Sequence, residues 1–104
     1  MLDNPVTPLK PAECNNINDI RTEIDRIDYA VIQLISQRFE YVKAASKFKT
    51  NATDVQANER FNSMLEKRKQ WANEQGLDGD IIKSLFCELV KYFIAEELKE
   101  FERK

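Results

Sequence analysis

Five residues of this chain have types and positions that suit binding and polarising a small anion. They are Arg21, Arg38, Lys49, Arg60 and Glu97. Arg38 stands out because it occupies a core position. Apolar residues recur as Ile17, Ile20, Ile24, Ile27, Val31 and Leu34, the three-four spacing of one helix face. The next places on that stripe are Arg38 and Tyr41, before Ala45 and Phe48 resume it. A guanidinium keeps its proton and is costly to bury alone, so a cation in a core stripe implies a buried anion. The anion is either a protein carboxylate, such as Glu88 or Glu96, or a ligand. The chain has no histidine, which removes the commonest general base, the Ser–His and Cys–His pairs and the usual metal ligand. Any chemistry must then come from carboxylates, lysine, arginine and geometry, and no cofactor or metal is expected.

These residues need helices to position them. All three prolines, Pro5, Pro8 and Pro11, lie near the start, and the only glycines are Gly76 and Gly79. The chain therefore reads as all-α, with an extended arm over 1–13 and one helical domain over 14–104. Helix one is expected from about Asn18 to Lys49, with Asn15, Asn16 or Asn18 as N-cap and Asp19 in or near the first turn. Thr50–Asp54 forms a loop, and Thr53 with Gln56 fits a capping box for helix two. Helix two carries Phe61, Met64, Leu65, Arg68 and Ala72, and Gly76 stops it. Asp78 or Asp80 caps helix three, whose apolar positions are Ile81, Ile82, Leu85, Phe86, Leu89, Val90, Phe93 and Phe101. The Lys67-Arg68-Lys69 run reads as a solvated face.

At 100° per residue, Arg38 and Lys49 differ by only about 20° around a continuous helix and lie roughly 16 Å apart along it. Together they could hold a small dianion. Arg21 is about 25 Å from Arg38 and a quarter-turn round, too far to serve the same ligand within one chain. An exposed pair with Asp25 is its plain alternative. A lone three-helix hairpin would also leave the far half of the isoleucine stripe bare, and a stripe that long needs cover. The simplest cover is a second copy running antiparallel about a two-fold axis, which would bring Arg21 of one chain to the Arg38–Lys49 region of the other. Arg60 can fold over the same region from the start of helix two. Glu97 continues the stripe Phe86, Val90, Phe93, although its neighbour Glu96 competes for the inward place.

Composition excludes other classes. A formal net charge of −2 argues against a nucleic-acid partner. No apolar run approaches about 20 residues, so no membrane span is expected. The first residues lack a charged segment followed by an apolar one, so no secretory signal is expected. Cys14 and Cys87 have no metal-like spacing and suit a reducing cytoplasm.

The segment Asp19-Ile20-Arg21-Thr22-Glu23-Ile24-Asp25-Arg26-Ile27-Asp28, followed by Gln37-Arg38 and Tyr41-Val42-Lys43-Ala44-Ala45-Ser46-Lys47-Phe48-Lys49, resembles the all-α chorismate mutase family. Glu59-Arg60, the run from Trp71 to Asp78 and Ile94-Ala95-Glu96-Glu97-Leu98-Lys99 extend the resemblance, which is strongest to the salicylate-forming isochorismate pyruvate lyase branch. The resemblance implies an intertwined homodimer with two all-α sites, each taking an arginine from the partner chain. By position, Arg21 resembles that partner arginine, which binds a substrate carboxylate, and Arg38 the arginine for the other carboxylate. Lys49 resembles the lysine on the enolpyruvyl ether oxygen, and Arg60 the loop-closing arginine. Glu97 falls where the lyases and many bacterial mutases carry glutamine, and where the fungal mutase type carries glutamate. The implied activity is isochorismate cleavage to salicylate and pyruvate, with secondary conversion of chorismate to prephenate. The alternatives are a dedicated chorismate mutase and a non-catalytic helical dimerisation or regulatory module.

Overall fold

A computed structural model of the chain describes residues 8–49 and 58–102. Within them lie three α-helices and two 3₁₀ turns, and no strand. Helix α1 spans Ile17–Ala45, α2 Asn58–Glu74 and α3 Gly79–Glu102. The 3₁₀ turns are Pro11–Glu13, inside the expected arm, and Ser46–Phe48. The expected three-helix, all-α architecture is therefore present. The expected capping box at Thr53 and Gln56 falls outside the described residues. The chain divides into two compact units, one ending at Arg38 and one beginning at Phe39.

In the first unit, Asn16 is the N-cap of α1. Its Oδ1 accepts from the Asp19 backbone N–H at 2.8 Å, while Asp19 Oδ2 accepts from the N–H of Asn15 at 2.9 Å. One of the orphan donors at the helix start, the Asp19 N–H, is thereby satisfied, along with the N–H of the residue before the cap. The turn before it is held by Glu13, whose Oε1 accepts from Lys10 N–H at 2.7 Å. From there α1 runs unbroken, and none of its residues is buried. Ile17, Ile24, Ile27, Val31 and Leu34 are all exposed on the single chain. Among the described residues, the stripe that was expected to need cover is left exposed at these five positions.

The second unit holds the core. Helices α2 and α3 pack as an antiparallel pair around Met64, Leu65 and Val90, with Phe61, Phe86, Cys87 and Ile94 packed against them. The turn between them is built from local chemistry. Gly76 takes a positive φ of 78°. Its N–H donates to Asn73 O at 3.1 Å, and Leu77 N–H donates to Ala72 O at 2.9 Å, the paired bonds of a Schellman motif. Asp78 is the N-cap of α3, accepting from the N–H groups of Asp80 at 3.0 Å and Ile81 at 3.3 Å. Asn73 Oδ1 reaches across to accept from Gly79 N–H at 3.0 Å. Outside the core, Lys69 bonds Asp80 at 2.9 Å and Lys83 bonds Glu66. Those hydrogen bonds hold the Asp80 and Glu66 carboxyls below their ordinary values.

Arg68 departs from the solvated face expected of the Lys67–Lys69 run. Its guanidinium lies 5.1 Å from the Trp71 ring centre and 5.7 Å from that of Phe86, and Nη1 donates to Met64 O. Stacking on two rings lets a charged group sit half-buried at the helix interface.

The two glycines separate two kinds of constraint. A Cβ at Gly79 would lie 2.7 Å from Lys69 O and 2.5 Å from Asn73 Oδ1, whereas one at Gly76 meets nothing within 4 Å. Gly79→Ala must push α2 and α3 apart and is expected to cost about 1–3 kcal/mol. Gly76→Ala carries only the left-handed backbone penalty, about 1–2 kcal/mol. Urea denaturation of the two variants, with far-UV circular dichroism, measures both costs.

Candidate active site

The five candidate residues fall into two groups. Arg21 and Arg38 lie on α1 in the first unit, within one continuous helix. Arg21 is exposed and forms no ion pair among the described residues. Its expected partner Asp25 is not engaged by it; the ion pair in that stretch is Arg26 with Glu23 at 2.9 Å. Arg38 is half-buried. On α3, in the second unit, Glu88 pairs with Lys91 at 3.9 Å and Glu96 with Lys99 at 3.0 Å.

Lys49, Arg60 and Glu97 belong to the second unit. Glu97 is the clearest of them. It retains only 6% of its exposure and is the only acidic side chain in the buried class among the described residues. Glu96 is more exposed and pairs with Lys99, so the inward carboxyl is Glu97. One turn before it stands Phe93, 2% exposed. Phe93 stacks on Phe39 with ring centres 5.2 Å apart, and Tyr92 completes an aromatic cluster at 5.4 Å from Phe93. The Lys43 ammonium lies 4.9 Å from the Phe39 ring centre and pairs with Glu40. The last turns of α1 are thereby anchored to the stretch of α3 that carries Glu97.

Lys49 corrects an expectation. Helix one was expected to run through it, placing it on the face of Arg38. The helix stops at Ala45, a 3₁₀ turn follows over Ser46–Phe48, and Lys49 adopts an extended backbone with φ −89° and ψ 138°. Angular arithmetic at 100° per residue therefore does not reach Lys49. The physical cause lies at Ser46, whose hydroxyl donates to Lys43 O at 2.7 Å, and whose carbonyl accepts from Lys49 N–H at 3.3 Å. Phe48, expected to resume the apolar stripe, is 84% exposed, and Ser46 takes the buried place at 4%. The 3₁₀ turn packs on α3. Lys49 itself is half-buried. Arg60 is exposed near the start of α2.

Ser46 is the residue the sequence did not reveal. Flanked by Ala44, Ala45 and Lys47, all good helix formers, it reads as helix interior. An open groove on α2, lined by Ser63, Glu66, Lys67, Lys69, Gln70 and Asn73, contains none of the five candidates. The Cys14 thiol does not offer a ready nucleophile. Desolvation and then the carboxylates of Asp19, Glu23 and Glu13 push its pKa up. Among the described residues no cluster of acidic or thiol groups could hold a metal, and no helix is long and apolar enough to cross a membrane.

In the second unit a buried carboxyl stands on an aromatic-backed helix and a lysine follows the turn packed on that helix, while Arg21 and Arg38 lie on the long helix of the first unit. Over residues 20–98 the chain matches the family described as chorismate mutase type II. The chain belongs to that family. It is 43% identical over 89 residues to an isochorismate pyruvate lyase of Pseudomonas aeruginosa, an alignment covering 86% of this chain and 88% of the relative. It is also 32% identical over 82 residues to a T-protein of Haemophilus influenzae, covering 78% of this chain but 22% of that longer protein.

Phe93 carries the wall behind Glu97, so its removal should be felt throughout the second unit. Phe93→Ala is expected to destabilise the protein by about 3–5 kcal/mol, the range for truncating a fully buried aromatic. The midpoint of urea unfolding measures it.

Proposed function

We propose that this protein is a cytoplasmic, homodimeric isochorismate pyruvate lyase, releasing salicylate and pyruvate, with secondary chorismate mutase activity. The observation that carries the reading is the near full-length identity to a protein of that name, joined to a buried Glu97 at the place the resemblance assigns to substrate. The free cysteines agree with a reducing location.

The reaction needs no covalent intermediate. The ether bond between ring carbon and oxygen breaks while a ring hydrogen passes to the enolpyruvyl methylene. The methylene becomes the pyruvate methyl, the ether oxygen becomes its keto oxygen, and the ring becomes the aromatic ring of salicylate. In the mutase reaction a carbon–carbon bond forms instead, from a similar compact conformer. Holding a flexible dicarboxylate in that conformer can supply up to about 7–11 kcal/mol of barrier reduction. Arg38 binds one carboxylate and Arg21 of the partner chain binds the other. Lys49 stabilises negative charge growing on the ether oxygen, and Arg60 closes over the ligand. Glu97, protonated, donates to the same ether oxygen; as a carboxylate it can only accept.

The homodimer accounts for two features together. It covers the exposed Ile24, Ile27, Val31 and Leu34 face of α1, and it lets Arg21 act at a distance from Arg38 that no single ligand could bridge within one helix. A dedicated chorismate mutase is the second reading, favoured by the family match over residues 20–98. Isochorismate and chorismate, supplied separately, divide the two readings. The lyase yields fluorescent salicylate from isochorismate faster than prephenate from chorismate, whereas a dedicated mutase yields no salicylate.

The shared site has its own test. Arg21→Ala and Lys49→Ala chains, each retaining only a small residual turnover alone, should regain about a quarter of parental turnover when unfolded together and refolded, because half the dimers are mixed and each holds one intact site. No recovery would place Arg21 and Lys49 in the same chain's site. Turnover should also rise as pH falls below neutral, because the donating form of Glu97 is the protonated one, and Glu97→Gln should flatten the profile. A parental kcat/KM that is constant between about pH 5 and 8 would remove Glu97 from the donor role.

A further inference from the structure

The buried serine at the end of α1 is unexplained by core packing. Next to it the chain exposes Phe48 at 84% while Ser46 is left with 4%, the reverse of what hydrophobicity favours. Nothing in the run Val42-Lys43-Ala44-Ala45-Ser46-Lys47 breaks a helix. The helix nonetheless ends at Ala45. Two bonds of Ser46 mark the change of course: its Oγ donates to Lys43 O at 2.7 Å, and its carbonyl receives the N–H of Lys49 at 3.3 Å. A serine hydroxyl bonding a carbonyl three residues back competes with the regular helical ladder and favours tightening to a 3₁₀ turn. That turn packs on α3, the helix carrying Glu97. Lys49 is the first residue after it, with extended backbone.

We propose that Ser46 is a positioning residue for Lys49. Its hydroxyl bond to Lys43 O ends α1 at Ala45 in a 3₁₀ turn that packs on α3, which fixes where the chain releases Lys49 and so where the ammonium meets the substrate. Were α1 to continue regularly, the three residues from Ser46 to Phe48 would turn by about 300° rather than the roughly 360° of a 3₁₀ turn, and would rise about 4.5 Å rather than 6 Å. Differences of that size matter for a group that must contact one ether oxygen. The proposal rests on the reading of Lys49 as a substrate-contacting residue.

The test is a double-variant cycle on isochorismate turnover by the full chain. Ser46→Ala is expected to lower kcat roughly 10- to 100-fold, the scale of a displacement of about 1 Å, with KM changed much less. Ser46→Cys, similar in volume but a poor donor, is expected to lose as much, and it carries the same reading if Ser46→Ala fails to fold. In a Lys49→Ala background the serine change should alter the residual kcat by less than about twofold, because two residues acting as a unit are not additive. A merely structural serine would instead multiply its loss onto that of Lys49→Ala. That multiplicative outcome, or parental kcat in Ser46→Ala or Ser46→Cys, overturns the role of Ser46 and leaves the role of Lys49 standing. Parental turnover in Lys49→Ala alone overturns both.

Discussion

The close approach of α2 to α3 is the constraint on which the second unit depends. It is set within a few residues. Gly76 supplies the left-handed turn, Asp78 and Asn73 satisfy the first donors of α3, and Gly79 has no side chain to hold Lys69 away. Only with the helices that close do Met64, Leu65 and Val90 share a core. The register so fixed also decides which face of α3 looks inward further along, where Phe93 and Glu97 follow Val90 on the same side. A carboxyl on the inner face costs desolvation, and the helix pair carries that cost at Glu97.

The aromatic cluster of Phe39, Tyr92 and Phe93 then joins the end of α1 to α3. This junction matters because α1 has no buried residue of its own. Its last turns are held by ring stacking and by Ser46, and the chain leaves it through a tight turn rather than by fraying. Lys49 is thus carried on extended backbone just after a 3₁₀ turn, and Glu97 on a regular helix.

A chain with no histidine is suited to reactions that ask for conformational control and charge stabilisation. Pericyclic cleavage of isochorismate is such a reaction. It also explains why cations dominate the candidate set: the substrate brings two carboxylates, and charge builds on oxygen as the ether bond breaks. The outlier is Glu97, an acid among cations, and its burial places it on the inner face of α3.

Much of this was legible before any coordinates. Periodicity gave the three helices, and Gly76 with Asp78 or Asp80 gave the turn, because capping and left-handed turns are local and depend on residue type; of the two caps the structure selects Asp78. The bare isoleucine face followed from counting one helix against the others. The family resemblance was legible because its motifs are linear, and the family match spans residues 20–98. What only the tertiary structure decided is where α1 ends and which glutamate is buried. Glu96 and Glu97 differ by 100° on a helix that is apolar on more than one side, so only the packing of α3 selects between them. Ser46 lies in a stretch whose local preference is helical to Lys49. Its hydroxyl bond and its burial against a helix distant in sequence override that preference, and a contact of that kind leaves no periodic mark in the chain.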